Sequence, residues 1–148
     1  MIYLECNDDK TLSWINELLS QKNLNIVSDK SSKFFLSINI NKTNDSLIIK
    51  SNKEKKHLTL PLDFKFLYQT IADIFSTLSI KIDDLNYLPF QYKLIKGQDE
   101  TFLTDKHNQI FGDLVLYADE GINKYDLYQK IWPKDKDIQI NKLDTHLT

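Results

Sequence analysis

The sequence predicts an α/β (α+β) chain of two lobes, and three observations carry that prediction. Strict apolar alternation at Phe34, Leu36, Ile38 and Ile40 marks a strand with one face in a core. Leu67, Ile71, Ile74, Phe75 and Leu78 fall on a single stripe of a helix. After Leu103 the alternation gives way to three successive helical segments. A length of 148 residues fits one ordinary domain or two small lobes, and the boundary falls near residues 80–86.

The elements follow in order. Ile2–Leu4 is a short apolar strand, and Asn7-Asp8-Asp9 places carboxylates at the start of a helix carrying Leu12, Ile15, Leu18 and Leu19. Asn25–Val27 fits a second strand. The alternating strand at 34–40 is followed by Leu47–Lys50 and His57–Leu60, separated by the turn-rich stretches Asn41–Asp45 and Asn52–Lys56, which reads as an antiparallel meander. Pro61 and Asp63 open the helix that bears the 67–78 stripe, with Phe64 extending it. Ile80–Tyr87 is a linker or the first strand of the second lobe. Phe90, Tyr92 and Leu94 alternate again, and Lys96-Gly97-Gln98-Asp99 turns the chain toward Phe102 and Leu103.

Thr104 then caps a helix with Ile110, Phe111 and Leu114 inward, running to about Ala118. Asn123 caps the next, with Asp126 at the third helical position and Ile122 and Leu127 spaced as a hydrophobic staple. Leu127 and Ile131 continue its buried face to Trp132, and Pro133 stops it. A third helix starts with Ile140, Leu143 and Leu147 inward, and its lack of a cap leads us to expect that the chain is cut within it.

Composition excludes several classes. Apolar residues make up 41% and charged residues 27% of the chain, a globular balance. The chain is long enough to bury roughly two thirds of its unfolded surface without a covalent staple. One cysteine, Cys6, forbids an internal disulfide and fits a reducing compartment. MIYLECNDDK lacks the basic and apolar segments of a signal peptide, and no apolar run approaches the roughly 20 residues of a membrane span, so the expected location is cytoplasmic, away from membranes. All 19 basic residues are lysine, so phosphate contacts here are point charges rather than bidentate forks. His57, His107 and His146 lack metal-ligand spacing, and no phosphate loop or catalytic motif occurs, so neither a metal, a cofactor nor an enzymatic activity is expected.

Leu103-Thr104, Ile122-Asn123-Lys124, Leu127, Ile131-Trp132 and Leu143-Asp144-Thr145-His146-Leu147-Thr148 occur in an order and spacing that resemble the winged-helix effector domain of OmpR-class response regulators. The resemblance covers about residues 86–148. It implies a transcription regulator that binds double-stranded DNA, with its third helix in the major groove. Asn141, Lys142, Thr145 and Thr148 would face outward on that helix with His146 beside them, while Thr104, Trp132, Lys134 and Lys136 would touch phosphates. For Trp132, simple core burial is the other reading. His107 stands where the family usually carries glutamate.

Residues 1–80 look like a decayed receiver domain, the usual partner of that effector in two-component phosphorelay systems. The resemblance rests on the opening strand, the acidic turn, the helix with Trp14, and Leu60-Pro61-Leu62-Asp63 before the 63–78 helix. Receiver chemistry needs carboxylates for Mg²⁺, an acceptor aspartate and a lysine. This chain has Asn7 at the first acidic position, Asn39-Ile40-Asn41 at the end of the central strand, and Leu60 before Pro61, which implies regulation without aspartyl phosphorylation. In receivers the 63–78 helix contributes to a dimer face, so homodimer packing stands beside core burial there.

Residues 97–148 carry six lysines against ten acidic residues, a net −4, whereas DNA-binding modules are usually basic. The chain as given is therefore expected to bind DNA weakly or not at all, and a longer chain to bind it better. The alternative is a protein-interaction or dimerisation module that has lost DNA binding.

Overall fold

The computed structural model describes every residue except 21–25, 28, 30–32, 52, 62 and 148, and the side chains of Leu18 and Phe64. Among the described residues the chain forms five α-helices and two β-sheets, in two compact units, Met1–Leu78 and Ser79–Thr148. No helix among the described residues is long and apolar enough to cross a membrane.

The first unit runs β1 (Ile2–Cys6), α1 (Asp9–Ser20), β2 (Ile26–Val27), β3 (Leu36–Asn41), β4 (Ser46–Ser51), β5 (Lys55–Thr59) and α2 (Phe64–Thr77). The sheet order is β2-β1-β3-β4-β5. β1 lies parallel to both its neighbours, whereas β3, β4 and β5 form an antiparallel meander. Register explains the alternation: Ile2 pairs with Leu36, Leu4 with Ile38 and Ile40 with Leu47, so one face is continuously aliphatic. Those six residues are buried, as are Ile15 and Leu19 of α1 and Leu67, Ile71 and Ile74 of α2. Trp14, Ile15, Ile40, Leu47, Leu60 and Leu67 are among the residues lining a cavity of about 370 Å³. Asp63 caps α2 by accepting from Lys65 N, and the Leu60–Pro61 peptide is cis. Asn25, placed in the second strand by its sequence, lies outside the described residues.

The second unit begins with the meander β6 (Ile80–Ile82), β7 (Leu85–Leu88), β8 (Lys93–Lys96) and β9 (Asp99–Phe102). The Ile80–Tyr87 stretch thus holds the first strand of this unit, shorter than expected, and most of the second. Its turn at Asp83-Asp84 holds Asp83 at φ 51°, a left-handed conformation that aspartate tolerates, so no glycine marked it. Residues 89–92 likewise form a turn, with Tyr92 at φ 55°, and the alternation at Phe90, Tyr92 and Leu94 does not continue one strand. At Gly97, φ is 61°, which permits the tight reversal from Lys96 to its ladder partner Asp99. Tyr87, fully buried, donates from its hydroxyl to Asn108 Oδ1 at 2.8 Å and meets the Phe111 ring edge-on at 4.9 Å, tying the sheet to the first helix behind it.

Three helices complete the unit: α3 (Asp105–Leu116), α4 (Lys124–Ile131) and α5 (Ile140–Leu147). Ile110, Leu127, Tyr128, Ile131 and Leu143 form their common core, with Ile122, Trp132 and Ile140 packed against it. Two inward assignments are corrected. Leu114 is exposed and Asp113 is buried in its place, because residue 113 lies one turn on from Ile110 along the inner face of α3. Leu147 is 43% exposed, since α5 points Leu143 at the core and carries Leu147 to its margin.

Candidate nucleic-acid interface

Local chemistry sets the ends of the helices. Thr104 Oγ1 accepts from His107 N at 3.3 Å, and Asn123 Oδ1 accepts from Asp126 N at 2.9 Å. Each satisfies a backbone donor with no partner inside its helix. The short Asn123 Nδ2–Asp126 Oδ2 contact closes the second cap. Ile122 and Leu127 share the helical core, consistent with the staple spacing.

α5 turns about 100° per residue. With Leu143 inward and fully buried, Asn141 and Thr145 fall on the opposite side and are exposed. Thr145 Oγ1 donates to Asn141 O at 2.9 Å. Lys142 and His146 occupy the flank instead, and both turn toward Trp132. Of the four residues expected to face outward, Asn141 and Thr145 are presented, Lys142 is engaged together with neighbouring His146, and Thr148 lies outside the described residues.

Trp132, half-buried at the end of α4, is the hub of this flank. Its ring lies 4.8 Å from Tyr128 and 5.7 Å from His146, centroid to centroid. Lys142 Nζ sits 4.6 Å and Lys106 Nζ 5.6 Å from its centre, within cation–π range. Both ammoniums also have oxygen partners: Lys106 donates to Ile131 O at 2.7 Å, and Lys142 to Asp135 Oδ2 at 2.8 Å. Tyr128 donates to the same Asp135 oxygen at 2.6 Å. The Lys142 ammonium and then the Tyr128 hydroxyl hold the Asp135 carboxyl below the usual range, while burial, then the Asp135 contact, raises Tyr128. Lys134 and Lys136, on the loop between α4 and α5, are exposed.

Lys106, His107, Tyr128 and Asp135 were not legible as parts of this cluster. Lys106 and Trp132 are 26 positions apart, and Asp135 and Lys142 are separated by a loop and a helix start, so no fixed spacing announces either contact.

In the first unit the acidic turn has a different construction. Asp8 Oδ2 accepts from Thr11 N at 2.9 Å, from Thr11 Oγ1 at 2.5 Å and from Lys42 Nζ at 2.7 Å. It caps α1, and Lys42 followed by Thr11 holds its carboxyl far below the usual range. Asn7 donates from Nδ2 to Asn41 Oδ1 at 3.0 Å and Thr43 Oγ1 at 3.1 Å, while its Oδ1 accepts from Lys42 N at 3.0 Å. An amide can both donate and accept across the ends of β1 and β3, which a carboxylate at position 7 could not do.

Comparison with known protein families and with characterised proteins finds no match.

Proposed function

We propose that the chain is a transcription regulator of the OmpR-class response-regulator type. It binds double-stranded DNA through its second unit, read as part of a winged helix, and its first unit is a degenerate receiver that works without aspartyl phosphorylation. The observation that carries this reading is the helix pair α4–α5 behind a four-stranded antiparallel sheet, sharing one core and presenting Asn141 and Thr145 opposite Leu143. An Asn amide pairs with adenine and a Thr methyl with thymine in the major groove. Lys134 and Lys136 supply phosphate contacts beside them, with Thr104 and Trp132 flanking. For the first unit, the strand order β2-β1-β3-β4-β5 is that of flavodoxin-like sheets, from which it departs in that β4 alone runs against the others and β3, β4 and β5 follow one another as hairpins.

Titrating an AT-containing duplex at low ionic strength tests the reading. Weak binding is expected, with log K falling steeply against log salt. The double substitution Lys134→Gln/Lys136→Gln should reduce that slope by about 2, close to 0.9 per phosphate contact. A flat salt response, or no complex even at low salt, favours a protein-interaction module instead. In that second reading a homodimer would be built through the 63–78 helix, on whose exposed flank Phe66 stands. The absence of aspartyl chemistry has its own check: incubation with a small phosphodonor should leave the intact mass unchanged, and the gain of one phosphoryl group would contradict it.

A further inference from the structure

Among the described residues no group of three or more His, Cys, Asp or Glu side chains gathers around a common point. Two imidazoles nonetheless meet between α3 and α5. His107 Nε2 and His146 Nδ1 lie 3.3 Å apart, with ring centroids at 5.1 Å and planes inclined by 72°. Zn–N bonds of about 2.0–2.1 Å meeting at a tetrahedral angle set two donor nitrogens roughly 3.3–3.4 Å apart. The existing separation, that of a hydrogen bond between the rings, thus equals one edge of such a tetrahedron.

Hydrogen bonding anchors the outer edge of the His107 ring. Its other nitrogen, Nδ1, is 3.0 Å from Thr104 Oγ1. With the proton on Nδ1 and directed to that hydroxyl oxygen, Nε2 keeps a lone pair facing His146. A metal-binding histidine usually has its second nitrogen anchored in this way. The nearby ammoniums are directed elsewhere, Lys142 to Asp135 and Lys106 to Ile131 O.

We propose that His107 Nε2 and His146 Nδ1 chelate a divalent first-row transition cation, Zn²⁺ being the natural probe. One proton lies between the two nitrogens of the metal-free pair. On binding, the cation takes its place and that proton moves to the outer nitrogen of the ring that carried it. Thr104 is the positioning residue. The remaining coordination positions are open to water or to a ligand from another molecule. The two histidines stand 39 positions apart on different helices, so the cation clamps α5 to the start of α3. This proposal does not depend on DNA binding.

Calorimetric titration of the full chain with ZnCl₂, together with imidazole NMR, tests it. The expected result is one site per chain, with the His107 and His146 ring resonances moving together and those of His57 unmoved. His107→Gln and His146→Gln should each weaken the site by about tenfold or more, and His57→Gln should leave it unchanged. Zn²⁺ that moves neither ring at millimolar concentration overturns the proposal, as does affinity that survives both substitutions. The NMR readout on the unsubstituted chain stands even if one variant fails to fold.

Discussion

Replacing Asp113 with leucine is expected to stabilise the second unit by about 2–3 kcal/mol near neutral pH, a gain unusual for a single substitution. The residue is 2% exposed, and its Oδ1 has no hydrogen-bond partner. Burial pushes its carboxyl from an ordinary 3.8 up to about 6, against a smaller opposing pull from Lys130. Each pH unit between folded and unfolded values corresponds to about 1.4 kcal/mol. At neutral pH the folded chain therefore carries a buried charge that the unfolded chain holds in water at no cost. Because the folded value is the higher one, the native state binds more protons between pH 3.8 and about 6. This contribution to stability is thus greatest below pH 3.8, falls as pH rises through about 6, and is flat above. Leucine has nearly the same branched outline as aspartate and no charge to bury.

Urea denaturation followed by Trp132 fluorescence, in a Trp14→Phe background, resolves the effect. Asp113→Leu should raise the unfolding free energy at pH 7 and erase the fall between pH 4 and 6. Asp113→Asn should erase the pH dependence with a smaller gain, since an amide still buries polar atoms. Unchanged stability at pH 7 would mean that the carboxylate has found a compensating partner and is not an orphan.

Asp113 also shows where sequence reasoning stopped. The helix was legible from its cap and apolar spacing, but its rotation was not. Ile110, Phe111 and Leu114 define a stripe, yet the sheet behind α3 holds Tyr87 against Phe111 and Asn108, and that contact turns residue 113 inward. Cross-element contacts decide rotation, and one-dimensional spacing does not encode them. Caps were legible at Thr104 and Asn123 because a side-chain oxygen reaches a backbone N–H only three residues on. The aliphatic face of β1, β3 and β4 was legible for a similar local reason, a period of two. The Trp132 cluster was only half visible. Trp132, Lys142 and His146 stand at positions the family resemblance marks for DNA, while their partners Lys106, His107 and Asp135 arrive from other elements.

Leu143→Ala is expected to cost about 2–5 kcal/mol, the range for emptying a packed aliphatic site. Leu143 is fully buried among Ile110, Leu127, Tyr128 and Ile131. The consequence reaches further than the cavity, because Leu143 is the one fully buried residue among the described residues of α5. Helical stability in proteins comes mostly from packing of the apolar face, so α5 leans on this docking. Loss of Leu143 should therefore release Asn141 and Thr145 from their presented positions and separate His146 from His107. The proposed DNA binding and the proposed Zn²⁺ chelation would fail together, although no side chain assigned to either has been changed. Leu147→Ala is the internal control: at 43% exposure it leaves little cavity, and its cost should stay below about 1 kcal/mol. Amide exchange along α5 separates the two outcomes residue by residue, with protection collapsing in Leu143→Ala and persisting in Leu147→Ala. Equal costs for the two substitutions would mean that α5 is held by something other than its single buried leucine, and both site assignments would then lose their structural support.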